Sequence, residues 1–239
     1  MNIKIVHLLL NPESQADVPD DKWQSTIDKQ KQSIDCFEKI SHKFKSYTKL
    51  WSDVNRTELP KETCANPSII KEDITGVVGP VLSYGHYGAY KAHRRAATQE
   101  FTDELDALIV LESDVVTNLS PQAFYEHVKR AYDFGINHDA RLITLADIRY
   151  GETGRDITSE IEDHGDFIKI PHFLMGSMYM IFKSEKESIK QKYETTGWMT
   201  PDIWLFWNYD RRVNIFGLKN PIASQVPGYS MIDYKFKDE

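Results

Sequence analysis

Residues 107–111 form an unbroken apolar run, Ala-Leu-Ile-Val-Leu, that leads directly into two carboxylates, Glu112 and Asp114. A run of this length with β-branched members predicts a strand buried on both faces, as in a mostly parallel sheet covered by helices. Such sheets bind their ligands at the carboxyl ends of the strands. Because residues two apart on an extended chain point the same way, both carboxylates can face one hard cation, such as Mg²⁺ or Mn²⁺. A solvated turn after the strand is the alternative interpretation.

Strand and helix patterns alternate along the first two thirds of the chain, which is typical of an α/β fold. Apolar runs predict strands at 3–10, 46–51, 107–111, 141–146, 167–171, 178–182 and 212–216. Amphipathic spacing or a Ser-Pro start predicts helices at 21–44, 83–101, 122–135, 185–195 and 202–209. The first helix is expected to bury Trp23, Ile27, Ile34, Phe37 and Ile40. A polar loop is expected at 151–166, and an irregular lobe toward the C-terminus.

The composition excludes several classes of protein. With 41% hydrophobic residues, the 239-residue chain can fill a sizeable core, so a disordered chain is excluded. A net charge of −7 lacks the positive field of most nucleic-acid binders, so no nucleic-acid partner is expected. Cys36 and Cys64 are too few for a disulfide scaffold or a structural zinc site. No apolar stretch approaches the roughly 18 to 20 residues of a membrane span, and we expect a cytoplasmic protein.

Two histidines and a tryptophan-rich segment are further candidates for chemistry. His86 and His93 lie on the small-residue face of the helix predicted at 83–101, where the alternative is a pair of hydrogen-bonded core histidines. Asp202 follows Pro201 among three tryptophans, so it is either a helix-capping residue or a carboxylate in a sugar-binding cleft. Indole faces suit the apolar face of a sugar ring, although tryptophan clusters also form cores.

Four short segments, in their order and spacing, resemble a known family. They are Gly-His-Tyr-Gly-Ala-Tyr-Lys-Ala-His at 85–93, Leu-Glu-Ser-Asp at 111–114, Met-Gly-Ser-Met-Tyr-Met-Ile at 175–181 and Pro-Asp-Ile-Trp at 201–204. Together they resemble nucleotide-sugar-dependent glycosyltransferases of the GT-A fold. The branch that they resemble most is the one around glycosyltransferase family 25, which includes enzymes building lipopolysaccharide and collagen sugars. The resemblance extends from about residue 3 to residue 233.

The resemblance implies a single GT-A domain, with a nucleotide-sugar-binding half at about 1–116 and an acceptor-binding half at about 117–239. Asp114 would be the metal ligand, with Glu112 on the metal, the ribose or the sugar, and Asp202 would be the general base. Donor binding is implied for a larger set: Leu9, Asn11, Asp53, His86, His93, Arg95, Glu112, Ser113, Gly176 and Ser177. Acceptor binding is predicted for Trp198, Trp204 and Tyr229.

The sequence departs from the family pattern at two points. Ser113 replaces a common central acid, and no histidine follows His172 to complete a metal shell, a place that water, Ser230 or Asp233 would fill. The resulting prediction is a Mn²⁺- or Mg²⁺-dependent glycosyltransferase that moves a hexose from UDP-glucose or UDP-galactose to a hydroxyl acceptor with inversion. The alternatives are a retaining glycosyltransferase and a non-catalytic carbohydrate-binding protein on the same scaffold. A nucleotidyltransferase ranks last, because residues 11–14 lack the glycine- and basic-rich loop of that class.

Overall fold

The computed structural model describes residues 1–14, 20–52, 84–146, 161–170, 177–195 and 214–227. Its helices are α1 (Asp20–Ser41), α2 (Tyr84–Arg95), α3 (Pro121–Asn137) and α4 (Lys186–Thr195). Its strands are β1 (Ile3–Leu9), β2 (Ser46–Trp51), β3 (Ala107–Leu111), β4 (Val115–Val116), β5 (Leu142–Thr144), β6 (Glu162–His164), β7 (Phe167–Lys169), β8 (Met178–Phe182), β9 (Ile215–Leu218) and β10 (Ser224–Gln225). One π-helical turn, Ala96–Glu100, extends α2.

The described strands form one large sheet and one small ribbon. The large sheet has the order β2-β1-β3-β8-β5-β9-β7-β6. In it β2, β1, β3, β5, β9 and β6 run in one direction, whereas β8 and β7 run against them. The ribbon pairs β4 with β10 in antiparallel register, directly after β3. The predicted α/β class, with a mostly parallel sheet flanked by helices, is confirmed.

Helices cover both faces of the sheet because its central strands are apolar on both sides. One apolar cluster joins side chains of α2 and α4 to alternate residues of the strands, among them Val6 and Val110. The other cluster joins α1 and α3 to the opposite face, through residues such as Ile5 and Ile109. Each described helix is too short or too polar to cross a membrane.

Most predicted elements that fall within the described residues are found near the predicted positions. The last strand, β9, differs because it extends to Leu218, beyond the strand predicted at 212–216, and the predicted loop differs as well. The loop predicted at 151–166 contains β6, which pairs with β7 across a two-residue turn. Gly165 adopts a φ of 77° at the first position of that turn, a conformation that glycine accepts without a steric penalty. The helix predicted at 202–209 lies outside the described residues.

The buried face of α1 differs from the prediction. Ile27 and Ile34 are only half-buried, although both were expected in the core. The helix buries four polar side chains instead: Thr26, Lys29, Gln30 and Ser33. They recur at three- and four-residue spacing with Trp23, Phe37 and Ile40, so they lie on the face that packs against the sheet. Gln30 and Ser33 have hydrogen-bond partners outside the helix, at the Leu10 backbone and the Val115 carbonyl, whereas the Thr26 hydroxyl donates to the Lys22 carbonyl within it. Such partners offset the cost of burying polar atoms.

His7 of β1 is fully buried on this α1 face. Its Nδ1 lies 2.8 Å from the Tyr47 hydroxyl and its Nε2 lies 3.1 Å from Ser33 Oγ. Burial, with the nearby charge of Lys49, lowers the pKa of His7 to about 3. The imidazole is therefore neutral at pH 7, and protonating it opposes folding.

The burial of His7 predicts a loss of stability in acid. An unfolded histidine binds a proton below about pH 6.5, whereas the folded chain excludes that proton until about pH 3. In this window the unfolded state binds more protons, so the free energy of unfolding falls by up to about 1.4 kcal/mol per pH unit as the pH decreases. Urea unfolding at several pH values between 7 and 4 measures the slope. His7→Gln is expected to make it shallower by about one proton, and equal slopes in both proteins would contradict the assignment.

Candidate active site

Glu112, Ser113 and Asp114 form a turn, here called the acidic turn, at the carboxyl end of β3. The backbone N–H of Glu112 donates to the Ser177 carbonyl at 2.8 Å, beside the start of β8. The N–H of Val115 donates back to the Glu112 carbonyl at 3.4 Å, which closes the turn. The two carboxylates thus follow a tight turn rather than the extended segment expected from sequence. Their location at the edge of the sheet is as expected.

Gln225 brings the two carboxylates together. This residue lies on β10 opposite Val115. Its Nε2 donates to Glu112 Oε2 at 3.3 Å and to Asp114 Oδ1 at 3.5 Å. The next residue, Val226, donates its N–H to the Asp114 carbonyl at 2.8 Å. One amide nitrogen therefore contacts both acids, and the β10 segment holds the backbone between them.

The acidic turn carries negative charge that its surroundings only partly offset. Burial, followed by the charge of Glu112, raises the pKa of Asp114 to about 6. The charge of Lys29, a buried residue of α1, and the Gln225 hydrogen bond act in the opposite direction. The net shift is upward, so an additional cation at this turn would be favourable.

His93 contacts Glu112 from the face of the sheet that α2 covers, opposite the face covered by α1. It is fully buried on α2, as the sequence pattern predicted. Its Nε2 lies 3.3 Å from Glu112 Oε1, and its Nδ1 lies 2.7 Å from the Tyr179 hydroxyl. The imidazole also stacks on the Tyr179 ring, with an interplanar angle of 10°. A carboxylate only accepts hydrogen bonds, so Nε2 carries the proton that is donated to Glu112.

Ser177 adds a buried hydroxyl next to the turn. Its side chain is 1% exposed, and its Oγ has no hydrogen-bond partner among the described residues. Buried hydroxyls are normally hydrogen-bonded, so this one is available for a further partner. The backbone of Ser177 pairs with that of Glu112, and the donor-sugar role that the family resemblance implies for Ser177 stays a prediction.

Three other predicted donor-binding residues, Leu9, Asn11 and Arg95, lie near the carboxyl ends of β1 and β2. Leu9 is buried at the end of β1, and its carbonyl accepts the Ser52 N–H at 2.7 Å. Asn11 Oδ1 accepts the Glu13 N–H at 3.0 Å. Arg95 donates from Nη1 to the Trp51 carbonyl at 3.1 Å, near the end of β2. His86 lies on α2, but its side chain is outside the described part of the chain, as are Asp53, Gly176, Trp198, Asp202, Trp204 and Tyr229.

The residues of the acidic turn fit a divalent cation that is bound mainly by its substrate. Within the described residues, no group of three or more His, Cys, Asp or Glu side chains could hold a metal ion. Mg²⁺ typically takes one or two carboxylates and completes its shell with water and phosphate oxygens. The Glu112 and Asp114 oxygens, with their excess negative charge, match that ligand set. Gln225 is the residue of this site that the sequence analysis missed, because a strand of two residues has no recognisable pattern.

The chain matches no protein-family model and no curated protein. Several solved structures have a similar architecture. A glycosyltransferase involved in glycosylation of the major capsid of PBCV-1 is 12% identical, with a TM-score of 0.45 over 96% of this chain and 95% of that one. A protein from Desulfovibrio desulfuricans G20, assigned as a nucleotide-diphospho-sugar transferase, is 14% identical, with a TM-score of 0.45 over 95% and 83%. S. aureus TarS 1–349 in complex with UDP is 13% identical, with a TM-score of 0.43 over 95% and 61%. The function is therefore inferred from the geometry of the site.

The contacts of His93 predict energetic coupling between Tyr179 and His93. Because the two side chains share one buried hydrogen bond, the destabilisation by Tyr179→Phe and His93→Leu together is expected to be about 1 kcal/mol less than the sum of the single effects. Urea unfolding of the four proteins in the cycle measures this term. Tyr193→Phe is the matched control, because Tyr193 is buried in the same cluster and its ring packs on Tyr90. Additive effects for Tyr179 and His93 would contradict the chain of contacts.

Proposed function

We propose that this chain is a GT-A-type glycosyltransferase that transfers a hexose from a nucleotide-diphosphate sugar to a hydroxyl acceptor. The observation that carries the proposal is the pairing of Glu112 and Asp114 by Gln225 at the carboxyl edge of β3. Such edges are where α/β sheets bind nucleotides, and a pair of carboxylates suits the cation that accompanies a diphosphate. UDP-glucose and UDP-galactose are the favoured donors.

In this proposal Asp114 and Glu112 have different tasks. Asp114 is the principal ligand of a Mn²⁺ or Mg²⁺ ion, because both oxygens of Glu112 already contact other side chains, Oε1 with His93 and Oε2 with Gln225. When bound, the metal supplies positive charge to the diphosphate leaving group. Glu112 is oriented by His93 and Gln225, so its carboxylate suits a ribose or sugar hydroxyl as well as the metal. Ser177, whose carbonyl accepts the Glu112 N–H, has a buried hydroxyl without a partner among the described residues and is proposed to bind the donor sugar.

The proposed reaction is a single displacement. Asp202 removes the proton of the acceptor hydroxyl while that oxygen forms its bond to the anomeric carbon and the bond to the diphosphate oxygen breaks. The anomeric configuration is then inverted. Asp202 is retained as the base from the sequence resemblance and from its place among the tryptophans, which suit an acceptor sugar.

Binding of the nucleotide is expected to depend on the metal. UDP is expected to bind more tightly with Mn²⁺ than without it, as measured by isothermal titration calorimetry. Asp114→Asn keeps the shape of the side chain and removes its charge, so it is expected to weaken Mn²⁺–UDP binding by about tenfold or more. Asp133→Asn is the matched control, because it removes an exposed carboxylate that pairs with Lys129 on α3.

Two outcomes of this titration would contradict the proposal. If Asp114→Asn and Asp133→Asn bind Mn²⁺–UDP equally well, the metal assignment is wrong. If the unaltered protein binds no nucleotide diphosphate but binds glycans, the carbohydrate-binding alternative is favoured. A panel of nucleotide sugars, assayed for release of the nucleotide diphosphate, identifies the donor.

Asp202 is expected to act in transfer of the sugar and not in binding of the nucleotide. Asp202→Asn is expected to retain Mn²⁺–UDP affinity and to lower transfer by roughly 10²- to 10⁴-fold, because only the proton acceptor is lost. Initial rates with the best donor measure the loss, and the anomeric signal in the proton NMR spectrum of the product gives the stereochemistry. Near-normal transfer by the variant would contradict the role of Asp202, and a product with the donor's configuration would favour the retaining alternative.

A further inference from the structure

A stripe of residues on α1 contacts the segment that follows the acidic turn. Lys29, Ser33 and Cys36 occupy one face of the helix at four- and three-residue spacing. Ser33 Oγ donates to the Val115 carbonyl, and Cys36 Sγ donates to the Thr117 carbonyl at 3.5 Å. The charge of Lys29 acts on Asp114. The helix thus bonds to the chain one residue and three residues after the turn.

The hydrogen bond to Val115 fixes the direction of every other bond in its chain. A carbonyl oxygen only accepts, so the single hydroxyl proton of Ser33 is used for Val115. Ser33 Oγ must then accept the proton of His7 Nε2, which lies 3.1 Å away. A neutral imidazole has one N–H, so His7 Nδ1 is bare and accepts from the Tyr47 hydroxyl at 2.8 Å. The chain runs from Tyr47 through His7 and Ser33 to the backbone of Val115.

Burial makes this direction obligatory at neutral pH. His7 and Ser33 are both 0% exposed, so water does not replace a missing partner. The low pKa of His7 agrees with a neutral ring that carries a single proton. Reversing any bond would leave a buried donor facing a donor or an acceptor facing an acceptor, which is costly in a protein interior.

We propose that Tyr47, His7 and Ser33 are positioning residues that hold the backbone immediately after the acidic turn and thereby set the place of the Asp114 carboxylate. Val115 is the point of attachment, because its carbonyl is bound by Ser33 and its N–H closes the turn onto Glu112. The effect on ligand binding rests on the proposed function, whereas the effect on the turn itself does not.

Two readouts in the full-length protein test this proposal. Ser33→Ala removes the donor to Val115 and is expected to speed hydrogen exchange of the amides of residues 113–115 by about tenfold. It is also expected to weaken Mn²⁺–UDP affinity by about tenfold, as loss of a supporting group commonly does. Thr26→Val is the matched control, because the Thr26 hydroxyl is buried on the same helix face and donates within the helix to the Lys22 carbonyl at 3.0 Å. The control is expected to change both quantities less than twofold.

Tyr47→Phe is the second variant, and it decides the outcome if Ser33→Ala does not fold. It removes only the hydroxyl that donates to His7 Nδ1, so hydrogen exchange of the amides of residues 113–115 is expected to rise severalfold. In the unaltered protein, imidazole ¹⁵N NMR is expected to place the His7 proton on Nε2. A proton on His7 Nδ1 would overturn the proposal. So would a folded Ser33→Ala or Tyr47→Phe variant in which hydrogen exchange at 113–115 matches that of the Thr26→Val control. If the unaltered protein binds no Mn²⁺–UDP, the proposed function fails, and the exchange and NMR results still decide the positioning role.

Discussion

Holding two carboxylates together at the edge of a buried sheet is the constraint on which the rest of this site depends. Glu112 and Asp114 repel one another, and burial increases the repulsion. The surrounding elements offset it with donors from three directions: Gln225 from β10, His93 from α2 and the charge of Lys29 from α1. The remaining upward shift of the Asp114 pKa shows that this compensation is incomplete. A cation bound there would reduce the repulsion between the two carboxylates.

Sequence alone predicts the elements whose signal is local. The strands β2, β3 and β8 are found at the predicted residues, because their apolar runs have clear ends. The location of Glu112 and Asp114 at the end of β3 follows from the same signal, whereas the tight turn that they form does not. The contribution of Gln225 does not, since a two-residue strand has no periodicity and its value lies in contacts more than a hundred residues away. The polar stripe of α1 was misassigned for a related reason. The buried face of a helix is inferred from apolar residues, and here Gln30 and Ser33 are buried against partners on distant parts of the chain.

The substitution of serine for a central acid at Ser113 is consistent with this electrostatic balance. Glu112 already raises the pKa of Asp114, and Lys29 is the nearby cation that opposes this shift. A third carboxylate between them would add repulsion without adding a donor. The serine is polar and adds no charge to the turn. Ser230 and Asp233, the residues expected in the place of a metal-binding histidine after His172, lie outside the described residues. Within them, the Gln225 amide contacts both acids and leaves their charge intact.

The acidic turn is held from both faces of the sheet by hydrogen bonds that run through a tyrosine and a histidine. On the α1 face, Tyr47 and His7 act through Ser33 on the backbone. On the α2 face, Tyr179 and His93 act on the Glu112 side chain. An imidazole suits both places because one of its nitrogens accepts a hydrogen bond while the other donates one. The ring is also apolar enough to pack in the core. One chain controls where the turn lies, and the other controls how one carboxylate points. Binding to a turn that is already ordered loses less conformational entropy than binding to a mobile one. Two independent restraints on three residues therefore favour a preorganised site over one assembled by its ligand.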